Sequence, residues 1–302
     1  MSLGRIFIFG AGYSAKAFAK AASATGAKMV GTTRSPEKFD ALRQAGLQPL
    51  LFDGALTLEI EGALAETTHL IISTAPDEAG DPVLNAARKA IVNSMPSLAW
   101  IGYLSTVGVY GDHGGDWVDE SAECRPVSRR SVMRVAAEQE WLALGRQVER
   151  PVAVLRLSGI YGPGRNAFVN LQNGTAKRLV KRDQVFNRIH RDDIAGALCQ
   201  LAGQHRGGVF NITDDLPAPP QDVVAYAAKL MGVAPPPEIP FEMAQLSPMA
   251  RSFYGENKRV ANKAIKEAGY PLRFPDYRSA FERMWTDGNW AEGEARSPMK
   301  RS

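Results

Sequence analysis

The feature that most constrains this chain lies within its first fifteen residues. Ile6-Phe7-Ile8-Phe9 is an unbroken apolar run, and Gly10-Ala11-Gly12-Tyr13-Ser14-Ala15 follows at once, opening a segment with Ala15, Phe18, Ala19 and Ala22 on one helical face. A strand that enters a helix through G-x-G-x-x-A has few uses. Gly10 permits the tight turn, Gly12 lets the main chain approach a pyrophosphate, and Ala15 keeps the helix close to the strand, so the helix amino terminus faces the anion. The turn therefore predicts a dinucleotide site that draws on Gly10, Gly12, Tyr13, Ser14 and Ala15.

The chain continues as such a turn requires. Apolar runs at residues 28–33, 48–52, 69–74, 98–105, 152–157 and 208–212 alternate with helical patterns, which predicts a parallel sheet covered by helices on both faces. Ser35-Pro36-Glu37 reads as a helix start with a capping serine and a proline in the first turn. Beyond Ile212 the texture changes. Leu216-Pro217-Ala218-Pro219-Pro220 and Ala234-Pro235-Pro236-Pro237 flank one helical segment, and strong strands no longer alternate with it. The expected organisation is a dinucleotide-binding domain over 1–164, completed by 183–213, a smaller substrate lobe from 165–182 and 214–290, and a flexible tail over 291–302.

Composition narrows the partners. With 45% hydrophobic and 23% charged residues among 302, the chain has the balance of a globular protein. A net charge of +4 is too mild to imply nucleic acid or a membrane. Cys124 and Cys199 are too few for a disulfide framework or a thiolate zinc site, and a reducing cytoplasm is the expected location. His69, His113, His190 and His205 are scattered without a metal-ligand spacing, so no metal is expected. No charged leader with a long apolar core and no run of about 18 apolar residues occurs, which predicts a chain neither exported nor membrane-spanning.

The end of the second strand predicts the cofactor. A carboxylate there binds ribose hydroxyls, whereas an arginine accommodates a 2′-phosphate. Val30-Gly31-Thr32-Thr33-Arg34-Ser35 has no acidic residue, and Arg34 stands where a phosphate would lie, so NADP is expected over NAD.

Further motifs follow in order: Ser73-Thr74-Ala75-Pro76; Leu104-Ser105-Thr106-Val107-Gly108-Val109-Tyr110-Gly111; Leu155-Arg156-Leu157-Ser158-Gly159-Ile160-Tyr161-Gly162-Pro163-Gly164; Arg188-Ile189-His190-Arg191-Asp192-Asp193-Ile194-Ala195; and Phe210-Asn211-Ile212. With the glycine turn, they resemble the extended short-chain dehydrogenase/reductase superfamily, its NAD-dependent epimerase/dehydratase branch, and within it the atypical YeeZ-like subgroup. The resemblance implies a Rossmann fold with a doubly wound parallel sheet and a smaller C-terminal substrate lobe. It also implies that Ser73, Thr74 and Ala75 pass the nicotinamide ribose, that Ile160 belongs to the cofactor-binding set, and that Thr106 is the catalytic hydroxyl that bonds the reacting substrate oxygen.

The chain departs from the family at one place. Active members carry a Y-x-x-x-K pair about 25 residues after that hydroxyl, the tyrosine as general acid/base and the lysine lowering its pKa. No Tyr or Lys occurs between Glu120 and Gln147. Aligning the family's following glutamate on Glu138 places Arg134 at the lysine, with a continuing role in holding the cofactor, and Arg130 at the tyrosine. Arginine keeps the charge but does not give up a proton at neutral pH. Tyr103, Tyr110 and Tyr161 remain as candidate acids, each in an apolar setting where a packed aromatic is ordinary. His190 reads as a packed histidine and Asp192-Asp193 as a helix cap.

Two functions follow. One is an NADP-dependent oxidoreductase or epimerase-like enzyme acting on a small molecule; the other is a catalytically inactive dinucleotide-binding sensor. Arg130 and Arg134, with Lys177, Arg178, Lys181, Arg182 and Arg188, favour an anionic substrate, against the alternatives that this is a solvated basic surface or that Glu138 and Glu140 neutralise the arginine pair internally. Family members often pair through two long helices, here 81–95 and 131–144, so a homodimer is implied by analogy.

Overall fold

The computed structural model describes residues 3–291. Its first element is the apolar run itself, β1 (Arg5–Phe9), which turns through Gly10–Gly12 into α1 (Tyr13–Ala22). The alternation continues with β2 (Lys28–Thr33), α2 (Phe39–Gln44), β3 (Gln48–Leu51), α3 (Leu58–Ala65), β4 (His69–Ile72), α4 (Pro82–Asn93) and β5 (Trp100–Thr106). After β6 (Trp117–Val118) come α5 (Arg129–Gln147), β7 (Val152–Leu157), β8 (Gly159–Tyr161), α6 (Ala167–Gln172), β9 (Arg178–Val180) and β10 (Arg188–His190). The chain proceeds through α7 (Arg191–Gly203), β11 (Gly208–Ile212), α8 (Pro220–Met231), β12 (Glu238–Pro240), α9 (Pro248–Ser252), β13 (Arg259–Val260), α10 (Lys263–Glu267) and α11 (Tyr277–Thr286).

The seven-stranded sheet has the order β11-β7-β5-β4-β1-β2-β3, all parallel. Strand order reverses between β1 and β4, where Phe9 lies opposite Ile72, and a crevice opens beyond the carboxyl ends of these strands. This is the expected doubly wound Rossmann sheet. Both faces are packed, as a buried parallel sheet needs. On one face Phe18, Ala19 and Ala22 of α1 meet the Ala195, Leu198 and Leu201 stripe of α7, their small side chains bringing the two helices together. On the other, Ile60, Leu84, Ile91, Trp141 and Leu144 from α3, α4 and α5 cover Phe7, Phe9 and Ile72. Each such large apolar side chain contributes about 1.5–3 kcal/mol by leaving water.

The C-terminal part has its own apolar cluster, in which Phe168, Tyr277, Phe281 and Trp290 pack together, and its strands are two or three residues long. Apart from Ala291, the tail expected to be flexible lies outside the described residues.

Three local expectations change. β4 stops at Ile72 because Ser73–Ala75 leave the sheet to line the crevice. Ser35 precedes a short 3-10 turn, Pro36–Lys38, without a side-chain capping bond. Asp192-Asp193 does not cap α7. His190 holds the cap position, its Nδ1 accepting from Asp192 N at 3.2 Å, while buried Asp193 accepts from Tyr270 Oη, Arg273 N and Phe274 N and ties the 270–274 segment to α7.

Candidate functional site: a dinucleotide cleft

The crevice is a cleft of about 580 Å³. Its floor is the glycine turn, pinned to the end of β2 because Gly10 N donates to Thr32 Oγ1 at 3.0 Å and Ala11 N to Thr32 O at 2.8 Å. Gly10 has φ +81°, and a Cβ there would sit 3.0–3.2 Å from Thr74 and Ser73 atoms, so only glycine lets the turn close on β4. At Gly12 a Cβ would meet nothing nearer than 3.9 Å and would project into the cleft, over the first turn of α1 whose N–H groups lack a side-chain cap. That is the cradle an anion needs.

Ser73, Thr74 and Ala75 line the opposite wall. Thr74 Oγ1 is buried with no hydrogen-bond partner, a polar atom that a ribose hydroxyl would satisfy. Arg34 lines the end of the cleft beside β2, as expected, and Lys38 lines it with Arg34. Neither makes an ion pair among the described residues. Ser14 and Ala15 are buried beneath the turn. Tyr13 points away from the cleft wall: its hydroxyl donates to Pro163 O at 2.8 Å, and the Arg191 guanidinium lies 4.6 Å from its ring centre. Ile160 sits in β8 beside Ile189, packed against the sheet core and outside the cleft lining.

Toward β5 the two arginines part. Arg134 reaches inward from α5, its Nη1 donating to Leu104 O at 2.9 Å and Tyr103 Oη at 3.1 Å, with Thr74 O at 3.4 Å. It thus bridges the carboxyl ends of β4 and β5 on the Thr74 wall. Arg130 is exposed in the first turn of α5. Thr106 ends β5, and its Oγ1 accepts from Gly108 N at 3.1 Å, which leaves the hydroxyl hydrogen available to a ligand oxygen. Glu138 and Glu140 do not neutralise the arginine pair. Glu138 binds Arg156 at 2.8 Å and Glu140 binds Arg88 at 2.9 Å.

The remaining candidate acids are sealed. Tyr103 is fully buried, and burial pushes its phenol far above the ordinary value despite the Arg134 charge. Tyr110 donates to Asn211 Oδ1 at 2.7 Å, and burial raises its pKa to about 12. Tyr161 packs edge-on against His190 and Phe281, and burial raises its pKa as well. None is poised for proton transfer near neutrality.

A model of the NAD dependent epimerase/dehydratase family matches residues 78–213. A functionally unknown conserved protein from Silicibacter pomeroyi shares 46% identity and superposes with a TM-score of 0.86, over 94% of this chain and 99% of that one. Protein YeeZ from Escherichia coli strain K12 is 27% identical over 289 residues, 90% of this chain and 97% of its own. Residues 78–213 thus form an NAD-dependent epimerase/dehydratase family domain, within a chain that is homologous to YeeZ along most of its length. A human epimerase family protein solved with NADPH, at 17% identity and TM-score 0.71 over 94% of this chain and 99% of that one, shares the fold.

An NAD(P) dinucleotide, the cofactor of the epimerase/dehydratase family, suits these residues: the open face of Gly12, the unpartnered Thr74 hydroxyl and the Arg34 end agree with its diphosphate, ribose and adenosine portions. Sequence reasoning missed Lys38, and with it Phe52 and Asp53, which follow β3 and line the same end. The available signal for Lys38 was its place four residues after Arg34, at the end of a proline-initiated turn.

Proposed function

We propose that this protein is an NADP(H)-dependent oxidoreductase or epimerase-like enzyme whose small-molecule substrate carries a carboxylate or phosphate. The observation that carries the cofactor choice is the pair Arg34 and Lys38 at the β2 end of the cleft, where the lining from Thr32 to Ser35 offers no carboxylate. Two cations on that lining favour a 2′-phosphate over a bare ribose hydroxyl, with Asp53 beyond β3 the carboxylate at the same end. In this reading Gly12 and the first turn of α1 receive the diphosphate, and Thr74 and Arg134 hold the nicotinamide-side ribose.

When bound, the nicotinamide supplies hydride exchange. Thr106 donates its hydroxyl hydrogen to the reacting oxygen, and Arg130 orients the substrate's anionic group from the rim. Arg134 holds position and charge without giving up a proton. The departure at Arg130 and Arg134 also supports a second reading, a dinucleotide-binding sensor that has lost the chemistry.

The experiment that separates them follows NADPH oxidation with aldehydes and ketones, and isomer formation from nucleotide sugars, acidic ones included. Turnover that falls in Thr106→Val supports the enzyme; cofactor binding without turnover on any of these supports the sensor. The anionic preference is checked by titrating phosphate, sulfate and small carboxylates. Salt-sensitive binding lost in Arg130→Ala supports it, and indifference to Arg130 removes it.

A further inference from the structure

The four histidines are far apart in sequence, yet the topology brings two together at the amino-terminal edge of the sheet, at the other end of β4 from the cleft. His69 opens β4 and is 4% exposed; His205 is exposed, two residues beyond the end of α7. Their Nε2 atoms face each other at 3.2 Å, and His69 Nε2 lies 3.3 Å from Ala202 O, the carbonyl that also accepts from His205 N. We infer that His69 and His205, with the Ala202 carbonyl beside them, form a site for a divalent first-row transition metal ion such as zinc.

The distances carry the inference. With metal–nitrogen bonds of about 2.0–2.1 Å, a tetrahedral centre separates its donors by about 3.3–3.4 Å, and two imidazoles aimed at it have ring centres roughly 5.2 Å apart. The observed donor separations are 3.2 and 3.3 Å, and the ring centres are 5.1 Å apart.

The surroundings of His69 prepare the right nitrogen. Thr68 Oγ1 lies 2.9 Å from His69 Nδ1 and 2.9 Å from Arg5 O. When its hydrogen goes to the Arg5 or Leu3 carbonyl, the hydroxyl accepts the proton on Nδ1, and that tautomer turns the Nε2 lone pair toward His205. A second group that fixes the tautomer of a ligating histidine in this way is the usual support of a metal site. His205 itself is held at φ +48°, in the left-handed region, where a non-glycine residue is uncommon and is kept by its surroundings.

Such a site keeps at least one position for water and ties the end of α7 to the start of β4, independently of the dinucleotide. The test uses tag-free full-length protein titrated with zinc by calorimetry and with cobalt by visible absorption. The expected result is a single equivalent bound with the intense bands of a tetrahedral cobalt site, a rise in Tm with metal, and unchanged NADPH affinity. His205→Gly, which relieves the positive φ and leaves the fold intact, should abolish binding; Thr68→Val should weaken it about 10–100-fold; His113→Ala should leave it in place. Absence of binding by the folded protein, or binding that survives His205→Gly, overturns the assignment.

Discussion

Arg156 of β7 donates from Nη2 to Glu138 Oε2 of α5 at 2.8 Å, with the two side chains 7% and 1% exposed. Ser105 Oγ donates to the other carboxylate oxygen, and the Arg156 guanidinium lies 4.8 Å from the Tyr110 ring centre. The pair fastens α5 to β5 and β7 one turn beyond Arg134, and so sets how far Arg134 reaches toward Thr74. Its removal is costly because either partner alone is a buried, uncompensated charge. Glu138→Leu or Arg156→Met should each lower stability in urea unfolding by about 3–5 kcal/mol, and the double substitution should recover most of that loss. Additive losses in the double variant would show that packing, and not the stranded charge, sets the cost.

Arg134 makes its bonds to two carbonyls and a phenol with one nitrogen, which leaves the rest of the fork for a ligand. Arg134→Met should weaken NADPH binding by about tenfold or more, the loss of one charge-assisted bond of roughly 1.5–3 kcal/mol. Arg134→Lys should restore part of it. Unchanged NADPH affinity in a folded Arg134→Met protein would remove the residue from the cofactor site.

His190 gives the protein an acid limit. It is 1% exposed, and burial lowers its pKa to about 4 from an ordinary 6.5. With the folded value depressed, the stabilisation is fully present above about pH 6.5 and is lost as pH falls toward 4, because the unfolded chain takes up the proton first. The full window is worth about 3 kcal/mol. His190→Asn, which retains a capping acceptor for Asp192 N, should flatten Tm between pH 7 and pH 4 relative to the parent. An equally steep fall in the variant would assign the acid limit to other groups.

Much of this was legible in the sequence, for identifiable reasons. A parallel strand buried on both faces must be apolar throughout, so the central strands stood out as short apolar runs while β3, half exposed at the sheet edge, was faint, and Gly10 marked the turn because only glycine closes there. What escaped depends on partners far along the chain. Asp193 looks like a capping residue until residues 270–274 arrive to use its carboxylate. Glu138 looks like a neutraliser of Arg134 until β7 presents Arg156. Helical spacing put Arg130 and Arg134 on one face, but only Arg134 lies deep enough in α5 to reach the strand ends. Lys38 and Asp53 join the cleft because β2 and β3 end side by side, a relation between elements that no local window contains.

Arg34 and Lys38 set the proposed cofactor preference, and calorimetric titration of NADPH and NADH against the parent protein, Arg34→Ala and Lys38→Ala tests it most directly. The parent should bind NADPH about tenfold or more tightly than NADH, as one charge-assisted phosphate contact provides. Arg34→Ala should lose most of that preference and Lys38→Ala part of it, with NADH affinity nearly unchanged in both. Equal affinities in the parent, or a preference for NADPH that survives Arg34→Ala, would contradict it.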